Sequence, residues 1–292
     1  MEIVFTKTEY KTSMEPIICG RTIADAPLAG AALRDFQIEY LKKIEAEVIV
    51  CRDDFWCSLS LLTQIINDRK NITVEDEEGN ISLKVTFRDG EPHNVLAADS
   101  DSAVIRYPWE LLKINSQIIS EKNEFKVDGV IREGVVIDGR VALGEGSVIL
   151  PGVYIEGDAV IGKNCKIGPN CYIRGNTSIG DGCHIGQAVE VKNSILMNKV
   201  SAGHLSYIGD SVIGEGTNFG AGTITANFRH DGKNHISAVD GVLTDTGLRK
   251  FGTIFGDDVH TGIHTSIFPG RKIWPGMSTL PGCIVKKDLK PK

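Results

Sequence analysis

The sequence has no long run of apolar residues and no long run of lysine or arginine. Its first residues, MEIVFTKTEYKTSMEP, lack the apolar stretch of a secretion signal, and no later segment is apolar enough to span a membrane. The formal net charge is −6, from 32 Lys and Arg against 38 Asp and Glu. The sequence therefore predicts a cytoplasmic protein that binds neither membranes nor nucleic acid.

The chain lacks the paired cysteines of a disulfide framework: its seven cysteines are scattered and odd in number, which suits reduced thiols better. Cys165, Cys171 and Cys183 are separated by six and twelve residues, a spacing that no zinc ligand set uses. We interpret these three as small side chains that recur at one position of a repeat.

The first 120 residues have the pattern of a small α/β domain. Five apolar residues fall on one face of a predicted helix: Leu33, Phe36, Tyr40, Leu41 and Ile44. A second helix is predicted over 55–66, and strands are predicted over 48–51, 72–75 and 81–87. Gly90 and Pro92 are expected to end this region.

From residue 126 onward, an aliphatic residue recurs every six positions. The twelve consecutive hits are Ile131, Ile137, Leu143, Ile149, Ile155, Ile161, Ile167, Ile173, Ile179, Ile185, Val191 and Met197. A six-residue period would rotate around an α-helix, and Ile with frequent Gly is poor helix sequence. Three such hexads suit one triangular turn of a parallel β-helix, with small residues at its corners. The predicted fold is thus mainly β, with a β-helix over 126–292.

The repeat is interrupted twice. Its phase slips between Met197 and Ile213, and it breaks again at Asn227 before returning at Phe255. Residues 228–252 are therefore predicted to form a loop extruded from the coil, and long loops on rigid scaffolds are often functional.

Polar residues that the repeat does not require mark a candidate site. Arg174 and Lys192 are eighteen residues apart, one full turn, so we expect them to stack on one edge of the coil. Like charges repel, and a phosphate between the two cations would stabilise them. His204 lies in the phase slip, and further candidates follow it: Asn218, the segment 220–223 (GAGT) and Asn227.

The segment 186–228, GQAVEVKNSILMNKVSAGHLSYIGDSVIGEGTNFGAGTITANF, resembles the acetyltransferase domain of the bifunctional glucosamine-1-phosphate acetyltransferase/N-acetylglucosamine-1-phosphate uridylyltransferase family. The segment 245–273, DTGLRKFGTIFGDDVHTGIHTSIFPGRKI, is similar to the archaeal-type sugar-1-phosphate nucleotidylyltransferase/acetyltransferase proteins. The resemblance covers roughly residues 126–285. It implies that the β-helix is left-handed and that the protein is a homotrimer with active sites between neighbouring subunits.

The resemblance also implies an activity, namely acetyl-CoA-dependent N-acetylation of an amino-sugar phosphate such as glucosamine-1-phosphate, in nucleotide-sugar biosynthesis. His204 would be the general base that takes a proton from the amine, and no metal is expected. The residues implied for the sugar phosphate are Arg174, Lys192, Tyr207, Asn218, Asn227 and, as the nearest match in the loop, Lys233. Those implied for acetyl-CoA are Ala221, Gly222, Thr223, Ile263 and Pro281. Glycine-rich backbone in this segment would supply an N–H for the developing oxyanion.

Other parts of the chain depart from the family pattern. The nucleotidyltransferase domain of the family carries a glycine-rich LxxGxGTRM segment that cradles phosphates, and the nearest fragment here, 19–22 (CGRT), lacks its glycines. The segment 107–112 (YPWELL) resembles the linker of the archaeal-type proteins. We therefore interpret residues 1–120 as a degenerate nucleotidyltransferase-like domain without nucleotidylyltransferase activity. Phe228 replaces a family tyrosine and the extruded loop is longer, so the acceptor sugar stays open.

Two alternatives remain at this stage. The chain could be a non-catalytic regulatory or scaffold subunit that binds a sugar phosphate or nucleotide sugar. The family binds the CoA phosphates with an arginine that lies beyond its last coil. Here only Lys286, Lys287 and Lys290 could take its place, and this departure favours the non-catalytic alternative. The second alternative is a γ-class carbonic anhydrase with zinc, suggested by His260 and His264. A four-residue spacing does not return to the same face of a β-helix, which disfavours that alternative.

Overall fold

The computed structural model describes residues 1–8, 12–88 and 93–291, so Gly90 and Pro92 lie outside the described residues. The chain forms two compact units, and their main division falls between Arg106 and Tyr107. The first unit comprises residues 1–11, 22–25 and 31–106, and the second comprises 12–21, 26–30 and 107–292. The sequence-based boundary lay later, at residue 120.

The first unit is an α/β structure built on a five-stranded sheet. Its strands, in sheet order, are Glu2–Thr6, Val48–Arg52, Ile81–Thr86, Ile72–Glu75 and Asn94–Ala97. The outer pairs of strands are parallel and the two central pairings are antiparallel. The unit also contains the helices Leu33–Lys42 and Leu59–Asp68, the 3-10 turn Ile23–Asp25 and the short strands Ala31–Ala32, Phe55–Trp56 and Ala103–Val104.

The predicted start of the second helix was wrong. Residues 55 and 56 form a short strand that pairs with Ala103–Val104, and the helix begins only at Leu59. Ser58 stands directly before it, and its hydroxyl accepts a hydrogen bond from the Leu61 N–H at 3.1 Å. Because a serine cap satisfies one of the unpaired N–H groups of the first turn, it fixes the helix start at this point.

The second unit is a parallel β-helix whose strands visit three sheets in turn. The first sheet contains Val130–Ile131, Val148–Ile149, Lys166–Ile167, His184–Gln187, Ser201–His204 and Asn218–Phe219. The second contains Val136–Asp138, Tyr154–Glu156, Tyr172–Arg174, Glu190–Lys192, Tyr207–Gly209, Ile224–Thr225, Ser266–Ile267 and Ile284–Val285. The third contains Val141–Leu143, Ala159–Ile161, Thr177–Ile179, Ile195–Leu196, Val212–Ile213, Thr253–Phe255 and Arg271–Ile273. The predicted mainly β fold is confirmed.

The repeated aliphatic residues line the inside of the coil, as the hexad pattern predicts. Most are fully buried and stack in one core that runs from Val141 to Val285. The first two hits are exceptions, since Ile131 and Ile137 are 37% and 36% exposed on the first turn. That turn has only one neighbouring turn to pack against, so its apolar residues keep contact with solvent.

The phase slip comes earlier than the sequence analysis placed it. Leu196, and not Met197, is in register with Ile179, so this turn spans 17 residues in place of 18. The 17-residue spacing continues through Ala202 and Ile208, which are in register with Ile185 and Val191. Met197 is also fully buried, but it accepts a hydrogen bond from Arg21 at its sulfur, outside the stack of inward residues.

The extruded loop leaves the coil after Asn227, as predicted, and its middle is a β-hairpin. The strands Ile236–Val239 and Val242–Asp245 pair antiparallel, and Phe228 bridges Lys250 at the base of the loop. The remaining elements of the unit are the helix Glu110–Glu121, the 3-10 turn Thr12–Met14 and the strand Pro27–Leu28. Within the described ranges, the longest apolar helices fall short of what a membrane crossing requires.

Candidate functional site

Arg174 and Lys192 stack on the second sheet, in the register that their spacing predicts. Each cation faces its own carboxylate. Arg174 donates from Nε to Glu190 at 2.8 Å, and Lys192 Nζ lies 2.9 Å from both oxygens of Asp210. The chain itself thus supplies a carboxylate for each cation, and the phosphate between them stays a prediction.

The two ion pairs differ in their exposure to solvent. The Arg174 and Glu190 side chains are 35% and 30% exposed, whereas those of Lys192 and Asp210 are 16% and 4% exposed. Electrostatic interactions strengthen as water is excluded, so the Lys192 pair is the more firmly held of the two. Arg174 is the more accessible of the two cations.

Tyr207 and Asn227 join the Lys192 pair in one hydrogen-bonded cluster. Asn227 Nδ2 donates to the Tyr207 hydroxyl at 2.8 Å and to Asp210 at 2.5 Å. Burial, followed by the carboxylates of Asp210 and Glu190, raises the pKa of the Tyr207 phenol, so it stays protonated as a donor. The turn after Tyr207 needs Gly209, since a Cβ there would collide with the Tyr207 hydroxyl and lie 2.8 Å from Asn227 Nδ2.

His204 lies at the corner between the first and second sheets, which we call the 204 corner. It ends the strand Ser201–His204, its side chain is exposed, and the chain turns at Leu205 with φ 52° before entering Tyr207–Gly209. The strand Tyr207–Gly209 separates the 204 corner from the Lys192–Asp210 pair. It has three residues, each about 3.3 Å long. His204 and the Lys192–Asp210 pair thus lie at opposite ends of the strand Tyr207–Gly209.

The residues implied for acetyl-CoA continue the 204 corner on successive turns. The Gly222 N–H donates to the His204 carbonyl at 3.3 Å, the His264 N–H to Ala221 at 2.8 Å, and the Gly282 N–H to Ile263 at 2.8 Å. Ala221 is half-buried, and Ile263 and Pro281 are exposed. Spacing along the sequence does not reveal this alignment, because 42 residues separate Ala221 from Ile263 and the extruded loop lies between them.

The close stacking of this corner depends on glycine. A Cβ at position 220 would lie 2.6 Å from the backbone carbon of Gly262, and one at position 262 would lie 2.6 Å from that of Leu280. Thr223 belongs to this packing, since its side chain is buried and donates to the Gly220 carbonyl at 2.7 Å. Its role in binding acetyl-CoA stays a prediction.

Two predicted residues lie apart from the cluster. Asn218 is on the first sheet, in register with Ser201 and bridged to His260, and its side chain is exposed. Lys233 is exposed on the extruded loop, where its backbone N–H donates to Asp231 at 3.2 Å. Neither shares the second sheet with Lys192.

Asp210 and Glu190 belong to the site and were missed by the sequence analysis. Asp210 ends the distinctive string AGHLSYIGD and follows Lys192 by eighteen residues, which was the available signal. His235 was also missed: it is buried in the loop and its Nε2 donates to the Asn227 carbonyl at 3.0 Å. Burial lowers the pKa of His235, which keeps the ring neutral.

A pocket of about 430 Å³ lies beside the site, where the extruded loop leaves the coil. It is lined by Ala226, Phe228, Arg229, His230, Asp231, Phe268 and Pro269. The two phenylalanines are each about half exposed. This places apolar surface directly after Asn227 in the chain.

The two histidines of the zinc alternative do not converge. His260 bridges Asn218 and Ser278 in line with the first sheet, whereas His264 occupies the next corner with φ 54°. Over the parts of the chain that the structure describes, no three metal-ligating side chains gather in one place.

The fold and site together define a hexapeptide-repeat β-helix with a histidine and an ordered polar cluster at its surface. Residues 155–275 match the family model of the GMPPB C-terminal domain. The bifunctional protein GlmU of Methanococcus maripaludis is 48% identical over 223 residues, which are 74% of this chain and 53% of that protein. The bifunctional sugar-1-phosphate nucleotidylyltransferase/acetyltransferase of Sulfurisphaera tokodaii is 39% identical over 205 residues, 67% of this chain and 51% of that protein.

The predicted resemblance to these bifunctional proteins is confirmed, and the chain spans about half the length of the curated relatives it matches. The match to the Methanococcus maripaludis protein covers 74% of this chain, which is more than the β-helix over 126–292. It therefore also includes residues that precede the β-helix. Among solved structures, a mutant of perosamine N-acetyltransferase from Caulobacter crescentus is 13% identical, with a TM-score of 0.22, over 95% of this chain and 90% of that one. Such low similarity adds nothing to the argument from the sequence relatives.

Proposed function

We propose that this chain catalyses acetyl-CoA-dependent N-acetylation of an amino-sugar phosphate, with glucosamine-1-phosphate as the first acceptor to test. The observation that carries the proposal is the 204 corner. It aligns the candidate base His204 with Ala221, Ile263 and Pro281, the residues that the resemblance assigns to acetyl-CoA. The cluster that would hold the sugar phosphate follows directly along the second sheet. The bifunctional names of the sequence relatives support the same reaction.

In this proposal the sugar phosphate lies along the outer face of the second sheet. Arg174 and Lys192 contact the phosphate. The neutral amine attacks the thioester carbon and His204 takes up the proton that the nitrogen loses; the C–S bond then breaks, and CoA takes up a proton and leaves as the free thiol. An amine is largely protonated near neutral pH, so a histidine base suits the task.

The oxyanion donor in this proposal is the backbone N–H of Ala221. In the described part of this segment, the N–H groups of Gly220, Gly222 and Thr223 all donate within the coil. This leaves the N–H of Ala221 to donate to the carbonyl oxygen of the thioester, where negative charge develops during the reaction.

We also propose that the active unit is a homotrimer. Asn218 lies on the first sheet, whereas Arg174, Lys192 and Tyr207 lie on the second. A second copy packed against the second sheet would bring an Asn218 to the cluster. Sedimentation equilibrium should then give about three times the chain mass of 31.7 kDa, and a monomer with full activity would contradict this arrangement.

Nucleotidylyltransferase activity is not part of the proposal. The 292 residues contain no LxxGxGTRM segment, and the fragment nearest to it, 19–22 (CGRT), makes contacts within the second unit. Arg21 of that fragment forms an ion pair with Asp257 and donates to the sulfur of Met197. Pyrophosphate-dependent release of nucleoside triphosphate from a nucleotide sugar would contradict this point.

The decisive experiment is acetyl-CoA-dependent thiol release with glucosamine-1-phosphate, run beside galactosamine-1-phosphate. The His204→Ala variant should lose turnover by about 10²–10³-fold, as expected for loss of a general base, while its melting temperature should stay close to that of the wild type because His204 is exposed. His93→Ala, in the first unit, is the matched control and should keep wild-type turnover.

The other outcomes separate the alternatives. Acetyl-CoA binding without thiol release from either sugar would point to a different acceptor. If neither thiol release nor acetyl-CoA binding is found, the enzyme proposal fails and a sugar-phosphate-binding regulatory subunit becomes the better account.

A further inference from the structure

The pocket where the extruded loop leaves the coil takes no part in the proposed acetyl transfer. Its volume of about 430 Å³ falls within the range of small-molecule sites, about 300–1,000 Å³. The rings of Phe228 and Phe268 line it, and these side chains are 49% and 47% exposed. Exposed aromatic surface in a concave site is costly in water, so it indicates a ligand that covers both rings.

The register of the second sheet connects this pocket with the cations of the candidate site. The same position on four successive turns is occupied by Lys192, Gly209, Ala226 and Phe268. Neighbouring strands lie about 4.8 Å apart, so the pocket begins about 10 Å beyond Lys192. The two residues in between are small, and the Tyr207 hydroxyl over the first of them can donate to a phosphate oxygen. A ligand held by Lys192 can therefore extend along this column into the pocket.

The chemistry of the column and of the pocket defines the ligand. The column offers cations and a hydroxyl donor, which suit phosphate groups. In the pocket, the Nε and Nη2 atoms of Arg229 donate to Asp231 at 2.9 Å and 2.6 Å. A guanidinium group has five N–H donors and a carboxylate about four acceptor sites, so this pair has further capacity for a ligand. Two rings beside such a pair suit a nucleobase, which stacks through its faces and forms hydrogen bonds through its edge.

Glucosamine-1-phosphate covers only part of this surface, because the molecule ends at its phosphate. We propose that the preferred acceptor is an amino sugar joined to a nucleoside diphosphate. Its diphosphate would lie at Arg174 and Lys192, and its base in the pocket of Phe228 and Phe268. The base is remote from the amine, so the acetyl transfer follows the same steps. This inference rests on the proposed function and names the class of its acceptor.

Calorimetry with free UDP, dTDP and GDP tests the pocket directly. At least one of them should bind wild type, and the one that binds most tightly identifies the base. Phe268→Ala should weaken that binding by on the order of tenfold to a hundredfold, the loss expected for one stacking ring. Because Phe268 is about half exposed, its melting temperature should stay close to that of wild type.

Tyr154→Ala is the matched control, since Tyr154 is a 37% exposed aromatic residue on an earlier turn of the same sheet. This variant should bind the nucleotide as wild type does. Binding of none of the three nucleotides would overturn the inference. Equal binding by wild type and Phe268→Ala would also overturn it, because the nucleotide would then occupy another place, and so would equal weakening in Phe268→Ala and Tyr154→Ala.

Thiol release then compares glucosamine-1-phosphate with the glucosamine conjugate of the nucleotide that binds best. Wild type should have the higher kcat/KM for the conjugate, and Phe268→Ala should lower that value by about tenfold to a hundredfold while leaving the value for glucosamine-1-phosphate unchanged. A preference for glucosamine-1-phosphate, or equal losses with both acceptors, would overturn the inference and leave the proposed function intact. If no acceptor releases thiol, the proposed function fails and this inference falls with it.

Discussion

Two stretches of the same coil differ in regularity. From Val130 to Ile179 each inward residue lies 18 residues from its partner on the next turn, and the outer surface carries exposed pairs such as Arg140 with Asp158. From Ile179 to Thr225 the turns contain 17 residues, and this stretch holds His204 and the Asp210 cluster. Both stretches bury the same kind of aliphatic stack, so the core tolerates the change of period.

The difference shows where a repeat is free to change. Inward positions must stay apolar because each packs on the turns above and below. Losing one residue between Val191 and Leu196 leaves that stack intact. It brings Lys192 into register with Gly209, so that the following residue, Asp210, lies at the corner and pairs with the lysine. The shortened turns thus place polar side chains without costing core packing.

The largest expected effect is a difference in the free energy of unfolding between variants that remove Lys192 and Arg174. Lys192→Met leaves Asp210 buried without its ion partner, so we expect a loss of about 2–3 kcal/mol in the free energy of unfolding, below the value for a fully buried pair because Lys192 is 16% exposed. Arg174→Met should cost less than about 1 kcal/mol, since Arg174 and Glu190 are each about a third exposed. Urea unfolding would measure both, and equal losses would contradict the distinction between the pairs.

Two glycines at the boundary between the stretches should also differ. A Cβ at Gly186 would overlap the carbonyl oxygen of Gly203 on the next turn, whereas a Cβ at Gly203 meets nothing within 4 Å. Gly186→Ala should therefore lower the free energy of unfolding by about 1–3 kcal/mol. Gly203→Ala should stay within about 0.5 kcal/mol of wild type. Comparable losses in the two variants would mean that the turns pack differently.

The smallest expected effect is on the pH dependence of stability, and it comes from His235 in the extruded loop. Burial lowers its pKa below 6.5, so the unfolded chain binds a proton on this residue before the folded chain does. Its stabilising contribution is full above pH 6.5 and is lost as the pH falls below that value. Melting temperatures of wild type should therefore fall more steeply between pH 6.5 and 5.5 than those of His235→Gln. Parallel pH profiles would show that His235 is not buried as a neutral ring.

The hexad pattern was enough to predict the coil, because inward packing imposes the same demand on every turn. It also predicted the stacking of Arg174 on Lys192, since both belong to 18-residue turns. It failed at Met197, where the choice between two neighbouring apolar residues depends on which one the shortened turn points inward. The carboxylate partners and the alignment of Ala221 with Ile263 depend on turn length and on the inserted hairpin, which a periodic pattern does not encode.

The most direct test of the central claim is a crystal structure of the chain with CoA and glucosamine-1-phosphate bound. The account predicts that the pantetheine arm runs along the 204 corner past Ala221, Ile263 and Pro281, with its thiol next to His204 and the sugar phosphate at Arg174 and Lys192. CoA bound along a different corner, or a sugar phosphate remote from His204, would contradict the account.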